Sequence, residues 1–235
     1  MRITLISHST VLIECGGIRI LTDPYFGRWG NLAYARTVMP ACEPAALRDV
    51  AAVLVSHAHF DHVDRAYLKS LGAGVPVYAP KPSARWISVK GGHATIGLRP
   101  WAELDVHGVR VTAVPAKHTA PAIGYVVAHD GKVVYFAGDT YRGAFMKEIR
   151  ERCHPDVCLM PVTTFRIPMT MGNQSACEAT RTLGARVVIP IHLGIRPRSP
   201  LLRRTESVET FRAVLRDARV DACVASLAPG ESYEW

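Results

Sequence analysis

The 235-residue sequence has no run of roughly eighteen or more apolar residues, so it predicts no membrane-spanning helix. Its first residues turn polar too soon for an export signal, and no low-complexity linker or internal repeat interrupts it. The six cysteines show no paired short spacing, which argues against a disulfide framework and against a zinc site built on cysteine. We therefore expect one domain over residues 1–235, with reduced thiols, in the cytoplasm.

Acidic residues are fewer than basic ones: 20 Asp and Glu stand against 28 Lys and Arg, which leaves a net charge of +8. This balance favours anionic partners. Arginines at positions 196, 198, 203 and 204 follow His192, but no aromatic residues interleave with them, as binding of single-stranded nucleic acid would require. We favour a small anionic substrate over nucleic acid. A merely solvated basic surface is the alternative, and whether the chain forms a homo-oligomer stays open.

Short β-branched segments separated by turn residues indicate a β-rich first quarter. Residues 2–7 and 10–15 are predicted strands, and Gly16–Gly17 predicts the hairpin turn that leads to a third strand over residues 18–21. Residues 25–46 have no regular pattern and contain several aromatics, so we expect an irregular loop that covers part of the protein.

The densest group of metal-binding side chains lies in the segment Ser56-His57-Ala58-His59-Phe60-Asp61-His62, directly after the apolar residues 51–55. That apolar run predicts a buried strand, and a strand end is a rigid place from which to aim side chains. His57 and His59 are two apart and point to one side of an extended chain, whereas Asp61 and His62 come where the chain turns. The segment therefore indicates two adjacent metal positions.

Three other predicted strands are each followed by one further donor. Residues 111–115 precede His118, residues 133–137 precede Asp139, and residues 187–191 precede His192. Gly138 would let the backbone approach such a site closely. With the first motif, these residues make seven donors in the order His, His, Asp, His, His, Asp, His.

These seven donors resemble the metal motifs of the metallo-β-lactamase superfamily, whose HxHxDH motif matches residues 57–62. The resemblance covers almost the whole chain. It implies an α/β fold of the αββα sandwich type, in which two mixed β-sheets flanked by helices hold the metals at one edge. By the family's pattern, one metal takes His57, His59 and His118, the other takes Asp61, His62 and His192, and Asp139 bridges them.

Such a site predicts a dinuclear hydrolase. Five neutral imidazoles and two carboxylates around two divalent ions leave a local charge of about +2, and zinc alone can lower the pKa of a bound water to about 7. A metal-bound hydroxide is then the expected nucleophile, and no Ser or Cys nucleophile is required. Asp61 is the expected catalytic residue, since it can orient that nucleophile or accept its proton. Zn²⁺ is the first expectation for both ions, with Mn²⁺ or Fe²⁺ as alternatives.

Residues 8–14 (HSTVLIE) and 17–24 (GIRILTDP) are similar to the superfamily branch that contains ascorbate-6-phosphate lactonase and N-acyl phosphatidylethanolamine phospholipase D. That likeness implies hydrolysis of a small anionic ester, lactone or phosphodiester. Two other functions stay open. One is a mononuclear iron oxygenase on the same fold, and the other is a non-catalytic regulatory protein that binds metal.

Five further residues are secondary candidates for the site. Arg166 and Arg196 are expected to bind a substrate anion, and Tyr141 to donate a hydrogen bond to a substrate oxyanion. His8 and Asp23 are expected to lie behind the metal ligands and to hold them by hydrogen bonds. Ordinary packing for Tyr141 and capping of a turn for Asp23 are the alternatives.

Overall fold

A computed structural model describes all 235 residues of the chain. In chain order its strands are β1 (Arg2–Ser7), β2 (Thr10–Cys15), β3 (Ile18–Thr22), β4 (Tyr34–Arg36), β5 (Ala52–Leu54), β6 (Val77–Pro80), β7 (Thr95–Leu98), β8 (Glu103–Val106), β9 (Val109–Pro115), β10 (Ile123–His129), β11 (Lys132–Phe136), β12 (Val157–Pro161), β13 (Val187–Ile191), β14 (Ile195–Pro197), β15 (Cys223–Val224) and β16 (Ser232–Glu234). The α-helices are α1 (Arg65–Ser70), α2 (Lys81–Gly91), α3 (Phe145–Cys153), α4 (Asn173–Leu183) and α5 (Val208–Asp217).

Fourteen of these strands form two seven-stranded sheets. The first has the order β16-β1-β2-β3-β5-β6-β7, and the second has the order β15-β13-β12-β11-β10-β9-β8. Both sheets are mixed, with antiparallel hairpins on one side and parallel strands on the other, as in β3-β5-β6-β7 and β11-β12-β13-β15. Parallel strands end at the same edge, so the segments that follow β5, β11 and β13 can meet there.

The largest apolar core, of 22 buried residues, lies between the sheets and combines Ile13 and Leu54 of the first sheet with Val111 and Phe136 of the second. A second core packs α3, α4 and α5 against the outer face of the second sheet. A third packs α1 and α2 against the outer face of the first. This helix–sheet–sheet–helix layering confirms the predicted αββα sandwich. None of the helices is both long enough and apolar enough to cross a bilayer.

The first hairpin has the predicted form. Gly16 and Gly17 adopt φ angles of 56° and 77°, which glycine reaches without a steric cost, and Cys15 pairs with Ile18 across the turn. Three antiparallel strands therefore start the first sheet, and β3 carries the chain to Asp23 at the edge of the site.

The aromatic loop over residues 25–46 is more regular than the sequence predicts. Residues 34–36 form β4, which pairs with β14 so that Tyr34 lies opposite Pro197 and Arg36 opposite Ile195. The Arg36 guanidinium donates to the carbonyl of Tyr25 and lies 4.1 Å from the centre of the Tyr25 ring. The expectation of a wholly irregular loop was wrong because the strand partner lies about 160 residues further along the chain, beyond any local pattern.

The two sheets are tied together where the first metal motif begins. The Tyr125 hydroxyl on β10 donates to the carbonyl of Val55 at 2.8 Å. The backbone N–H of Ile123 donates to the carbonyl of Ser56 at 3.0 Å. The end of β5 is therefore fixed by the opposite sheet, and the side chains that follow it start from a rigid point.

Candidate metal centre

Seven predicted donors converge at the edge where the parallel strands end. Residues 57–62 follow β5, His118 follows β9, Asp139 follows β11, and His192 follows β13. All but His59 and His118, which are partly buried, are buried side chains. They separate into two groups, which lie on either side of Asp139.

The first group is His57, His59 and His118, whose nearest nitrogens lie within 4.8 Å of one another. His57 Nε2 lies 3.0 Å from His59 Nδ1, and His59 Nδ1 lies 3.2 Å from His118 Nε2. Three nitrogens bound at 2.0–2.1 Å around a tetrahedral zinc would lie about 3.3 Å apart, which is close to this spacing. The three imidazoles therefore fit one divalent ion.

The second group contains Asp61, His62 and His192, whose donor atoms lie together with a nitrogen of His8 within 4.8 Å of one another. His192 Nε2 lies 3.6 Å from Asp61 Oδ2, and His62 Nε2 lies 3.9 Å from the same oxygen. These ligands match the expected composition of a second metal position.

Asp139 lies between the two groups. Its Oδ2 is 3.1 Å from His192 Nε2 and 4.0 Å from both His57 Nε2 and His118 Nε2. Its Oδ1 is 3.5 Å from His62 Nε2, and both of these buried atoms have no hydrogen-bond partner. Buried polar atoms are seldom left unpaired, so this arrangement fits a carboxylate that contacts two cations.

Asp23 determines which ring nitrogen of His62 and of His57 is available to bind metal. A carboxylate only accepts, so His62 Nδ1 must carry the proton in its 2.7 Å contact with Asp23 Oδ2, and His62 Nε2 is the nitrogen left for a second proton or a metal ion. The Ser56 hydroxyl also donates to Asp23 Oδ2, at 2.6 Å. Its oxygen therefore accepts from His57 Nδ1 at 2.9 Å, which leaves His57 Nε2 free as well. One buried carboxylate thus presents one ligand of each group in the binding tautomer.

His8 lies beside the second group, and its hydrogen bonds assign it a different role from the ligands. Its Nδ1 accepts from the backbone N–H of Gly194 at 3.0 Å, so the neutral ring carries its proton on Nε2. Burial lowers the pKa of His8 to about 3, which keeps the ring neutral. Its Nε2 lies 3.3 Å from Asp61 Oδ2 without the geometry of a hydrogen bond. The neutral ring therefore offers no free nitrogen to a metal, and its expected role behind Asp61 stays a prediction.

The charges of the site differ between its two sides. Burial lowers the pKa of His57 well below its usual value and that of His118 to about 4, so both rings are neutral. Burial also disfavours charge on His62, but Asp139, Asp23 and Asp61 raise its pKa well above the usual value. Burial acts against ionisation of Asp139 too, yet His192 and His62 hold its pKa well below normal. The carboxylates therefore attract positive charge to the second group.

Three residues of the site have a backbone conformation that is unusual for residues other than glycine. His8, Asp23 and His192 have φ angles of 47°, 36° and 65°, in the left-handed region that non-glycine residues seldom adopt. The His192 N–H donates to the carbonyl of His8, and Arg204 Nη2 donates to the carbonyl of His192, both at 3.0 Å. Arg204, one of the arginines noted in the sequence, thus holds a ligand-bearing turn.

A cavity of about 250 Å³ opens beside the donors, and five of the seven line it: His59, Asp61, His118, Asp139 and His192. The three residues expected to bind substrate do not line this cavity, although the ring of Tyr141 lies 6.2 Å from that of His118. Arg166 and Arg196 are exposed and do not line the cavity, and the Tyr141 hydroxyl donates to the carbonyl of Pro168 at 3.0 Å. Their roles stay predictions. Ser56 and Arg204 lie in segments that the sequence marks, but their contacts with His57 and His192 were not predicted. Phe165, a wall residue of the cavity, carries no sequence motif that singles it out.

Comparison with known proteins agrees with this geometry. Residues 18–193 match the beta-lactamase superfamily domain family. A UPF0173 metal-dependent hydrolase of Methanopyrus kandleri is 30% identical over 100% of both chains. Igni18, a metallo hydrolase from the hyperthermophilic archaeon Ignicoccus hospitalis KIN4/I, is 26% identical with a TM-score of 0.77, covering 100% of this chain and 98% of that one. An isothiocyanate hydrolase from Delia radicum gut bacteria, 20% identical, shares the fold with a TM-score of 0.80 over 100% and 99% of the two chains.

The chain therefore belongs to the metallo-β-lactamase superfamily and, within it, to the UPF0173 metal-dependent hydrolases. Its enzyme class is that of a metal-dependent hydrolase.

Proposed function

We propose that the protein is a dinuclear hydrolase that cleaves a small ester, lactone or phosphodiester. The observation that carries this proposal is the convergence of seven donors in two groups around Asp139, with the unpartnered atoms His62 Nε2 and Asp139 Oδ1 facing each other at 3.5 Å. One ion would be held by His57, His59 and His118, and the other by Asp61, His62 and His192, with Asp139 shared. Imidazole and carboxylate donors suit Zn²⁺ first, and Mn²⁺ or Fe²⁺ as alternatives.

When bound, two divalent ions at these positions lower the pKa of a water molecule and polarise the carbonyl or phosphoryl oxygen of the substrate. Asp61 lines the cavity and is ionised: burial favours its neutral form, but His62, His192 and His8 hold its pKa well below the usual value. It can accept a hydrogen bond from the attacking water and so orient it. The water oxygen bonds to the carbonyl carbon, the carbon–oxygen bond to the leaving group breaks, and the water proton ends on the leaving alcohol.

No protein nucleophile takes part in this scheme. The cavity is lined by neither Ser nor Cys, and the buried thiol of Cys158 lies in the core beneath the helices of the second sheet. Direct attack by water is therefore the reaction class that the cavity supports.

The substrate class is supported by the similarity of residues 8–14 and 17–24 to the lactonase and phosphodiesterase branch of the superfamily. The net charge of +8 favours the approach of anions from solution, while the cavity wall itself contains no Lys or Arg. The curated relatives are named only as metal-dependent hydrolases, which agrees with the reaction type.

A hydrolysis panel tests the proposal. Zinc-loaded protein is incubated with a neutral ester, a lactone and a phosphodiester, and acid or alcohol release is measured. We expect turnover of at least one class, a loss of more than about 100-fold in Asp139→Asn, and unchanged turnover in Asp130→Asn, whose side chain is 86% exposed in the turn between β10 and β11. Metal-loaded protein that turns over none of the three classes would contradict the proposal.

A further inference from the structure

The cavity beside the metal ligands is apolar on the side away from them. Besides the five ligands, its wall consists of the side chains Tyr34, Phe60, Phe165, Met169, Ile195 and Asn31. No basic side chain is among them. A substrate group that enters this space meets aromatic and aliphatic surface on one side and the reactive centre on the other.

The aromatic wall is a packed structure. The Tyr34 ring stacks on Phe60, with centroids 5.9 Å apart and planes 26° apart, and lies 5.7 Å from the ring of Phe165. Phe165 in turn lies 6.4 Å from the ring of the ligand His192. These rings are already in place before any ligand binds, so a bound apolar group would need little rearrangement of the wall.

The backbone behind the wall is also held in place. Tyr34 and Ile195 lie on the two strands of the β4–β14 ribbon. Arg198 donates from its side chain to the carbonyl of Asn31 at 3.0 Å and from its backbone N–H to the carbonyl of Ala33 at 2.8 Å. The arginine-rich segment after His192 therefore fixes the aromatic wall, which gives it a structural role separate from anion binding.

A second cavity, of about 580 Å³, offers the opposite chemistry. It is lined by Lys81, Arg99 and Lys117 and reaches the metal centre only at His118. All three cations are exposed to solvent. The apolar cavity contacts five of the seven donors, whereas the basic cavity contacts one, so the apolar cavity is the more direct approach to the metal centre.

We propose that the substrate carries a neutral, apolar group of about the size of one aromatic ring next to the scissile bond, and that the wall of Tyr34, Phe60 and Phe165 binds it. This inference rests on the proposed hydrolase function. A dry cavity of about 150 Å³ is enough for benzene in proteins, so 250 Å³ accommodates one ring together with the ester group. Burial of such a ring corresponds to about a 10- to 100-fold gain in binding.

Three acetate esters with unactivated alcohols test the preference, because they share the acyl group and differ in the alcohol. They are benzyl acetate, ethyl acetate and carboxymethyl acetate, which are aromatic, small and anionic respectively. With zinc-loaded protein we expect kcat/KM for benzyl acetate to exceed that for ethyl acetate by about 10- to 100-fold. A preference for the anionic ester that is lost in Lys81→Ala or Arg99→Ala would overturn the inference and leave the hydrolase function intact.

Substitutions in the aromatic wall test whether it causes the preference for benzyl acetate. Phe60→Ala, at a side chain that is 37% exposed, and Phe165→Ala should each lower the ratio of kcat/KM for benzyl acetate to that for ethyl acetate by about tenfold. Trp29→Ala is the matched control, since this aromatic of the loop over residues 25–46 is 85% exposed and does not line the cavity. Unchanged benzyl preference in both wall variants would contradict the assignment.

A binding measurement separates this inference from the hydrolase function. Benzohydroxamate and acetohydroxamate share one metal-binding group and differ by the ring, so calorimetry on zinc-loaded protein compares them without turnover. We expect benzohydroxamate to bind at least about tenfold more tightly, and Phe60→Ala to remove that difference. Equal affinities would overturn the inference even if esters are hydrolysed. A tenfold difference without turnover of any ester would support the pocket while contradicting the hydrolase proposal.

Discussion

Replacing Asp23 with Asn should weaken both metal positions at once. The Asp23 carboxylate is fully buried and accepts three hydrogen bonds: from the Ser56 N–H, the Ser56 hydroxyl and His62 Nδ1, at 2.6, 2.6 and 2.7 Å. An amide has almost the same volume but puts an NH₂ group where at least one of these donors points. If His62 Nδ1 then accepts a hydrogen bond from this amide instead of donating one, the ring proton lies on His62 Nε2, which cannot bind metal.

The expected loss of metal affinity follows from the hydrogen bonds through which Asp23 holds the two histidines. Loss of a hydrogen-bond partner behind a metal-ligating histidine costs about 10- to 100-fold in metal affinity, or roughly 1.4 to 2.7 kcal/mol. Asp23 acts on His62 directly and on His57 through Ser56, so each of the two dissociation constants should rise by about that factor.

Competition with a fluorescent zinc chelator measures both dissociation constants, and circular dichroism confirms that the variant is folded. Ser56→Ala is the matched control: it removes the contact with His57 Nδ1 but keeps the one between Asp23 and His62. We expect it to weaken the three-histidine position by about tenfold and the other position by less than about twofold. Asp23→Asn protein that binds two zinc ions with wild-type affinities would refute the tautomer mechanism.

Three other perturbations have defined outcomes. Chelation should lower the melting temperature by about 8–16 °C, since a ligand at 1,000 times its Kd stabilises by about 4 kcal/mol; an unchanged calorimetric scan would contradict this. Gly138→Ala should lower the free energy of unfolding in urea by about 2–5 kcal/mol, because the new Cβ would lie 2.4 Å from Ser56 Cβ at a φ of +56°. Gly131→Ala, with a φ of +71° and open space around it, should cost only the backbone strain. Equal losses of stability in the two variants would argue against crowding at Gly138. His8→Ala should weaken the metal position that contains Asp61 by about 10- to 100-fold and leave the three-histidine position unchanged, as resolved by the same chelator competition; equal weakening would argue against the His8–Asp61 contact.

The positions of the metal-binding residues could be predicted because each follows a strand that is recognisable in the sequence as an apolar run. His118, Asp139 and His192 all lie within three residues of a strand end, as predicted. The three-histidine group has the expected members, whereas the second group also includes His8. Strands and turns of this kind can be predicted from the sequence because β-branched runs and glycine turns depend on only a few neighbouring residues.

Other features depend on contacts between distant parts of the chain. The β4–β14 ribbon joins Tyr34 to Pro197, and Arg204 reaches the carbonyl of His192, so neither is visible in a local pattern. The basic segment after His192 suggested anion binding. The role of an arginine depends on its burial and its hydrogen-bond partners, and the Arg198 side chain donates to a backbone carbonyl. The number of charged residues in a segment does not show which groups their side chains contact.

The metal content of the purified protein tests the central claim most directly. Protein loaded with excess zinc, freed of unbound metal by gel filtration and measured by elemental analysis should contain two equivalents. His59→Ala, in the first group, and His192→Ala, in the second, should each retain one equivalent. One equivalent in the unaltered protein, with none in either variant, would contradict the two-metal account.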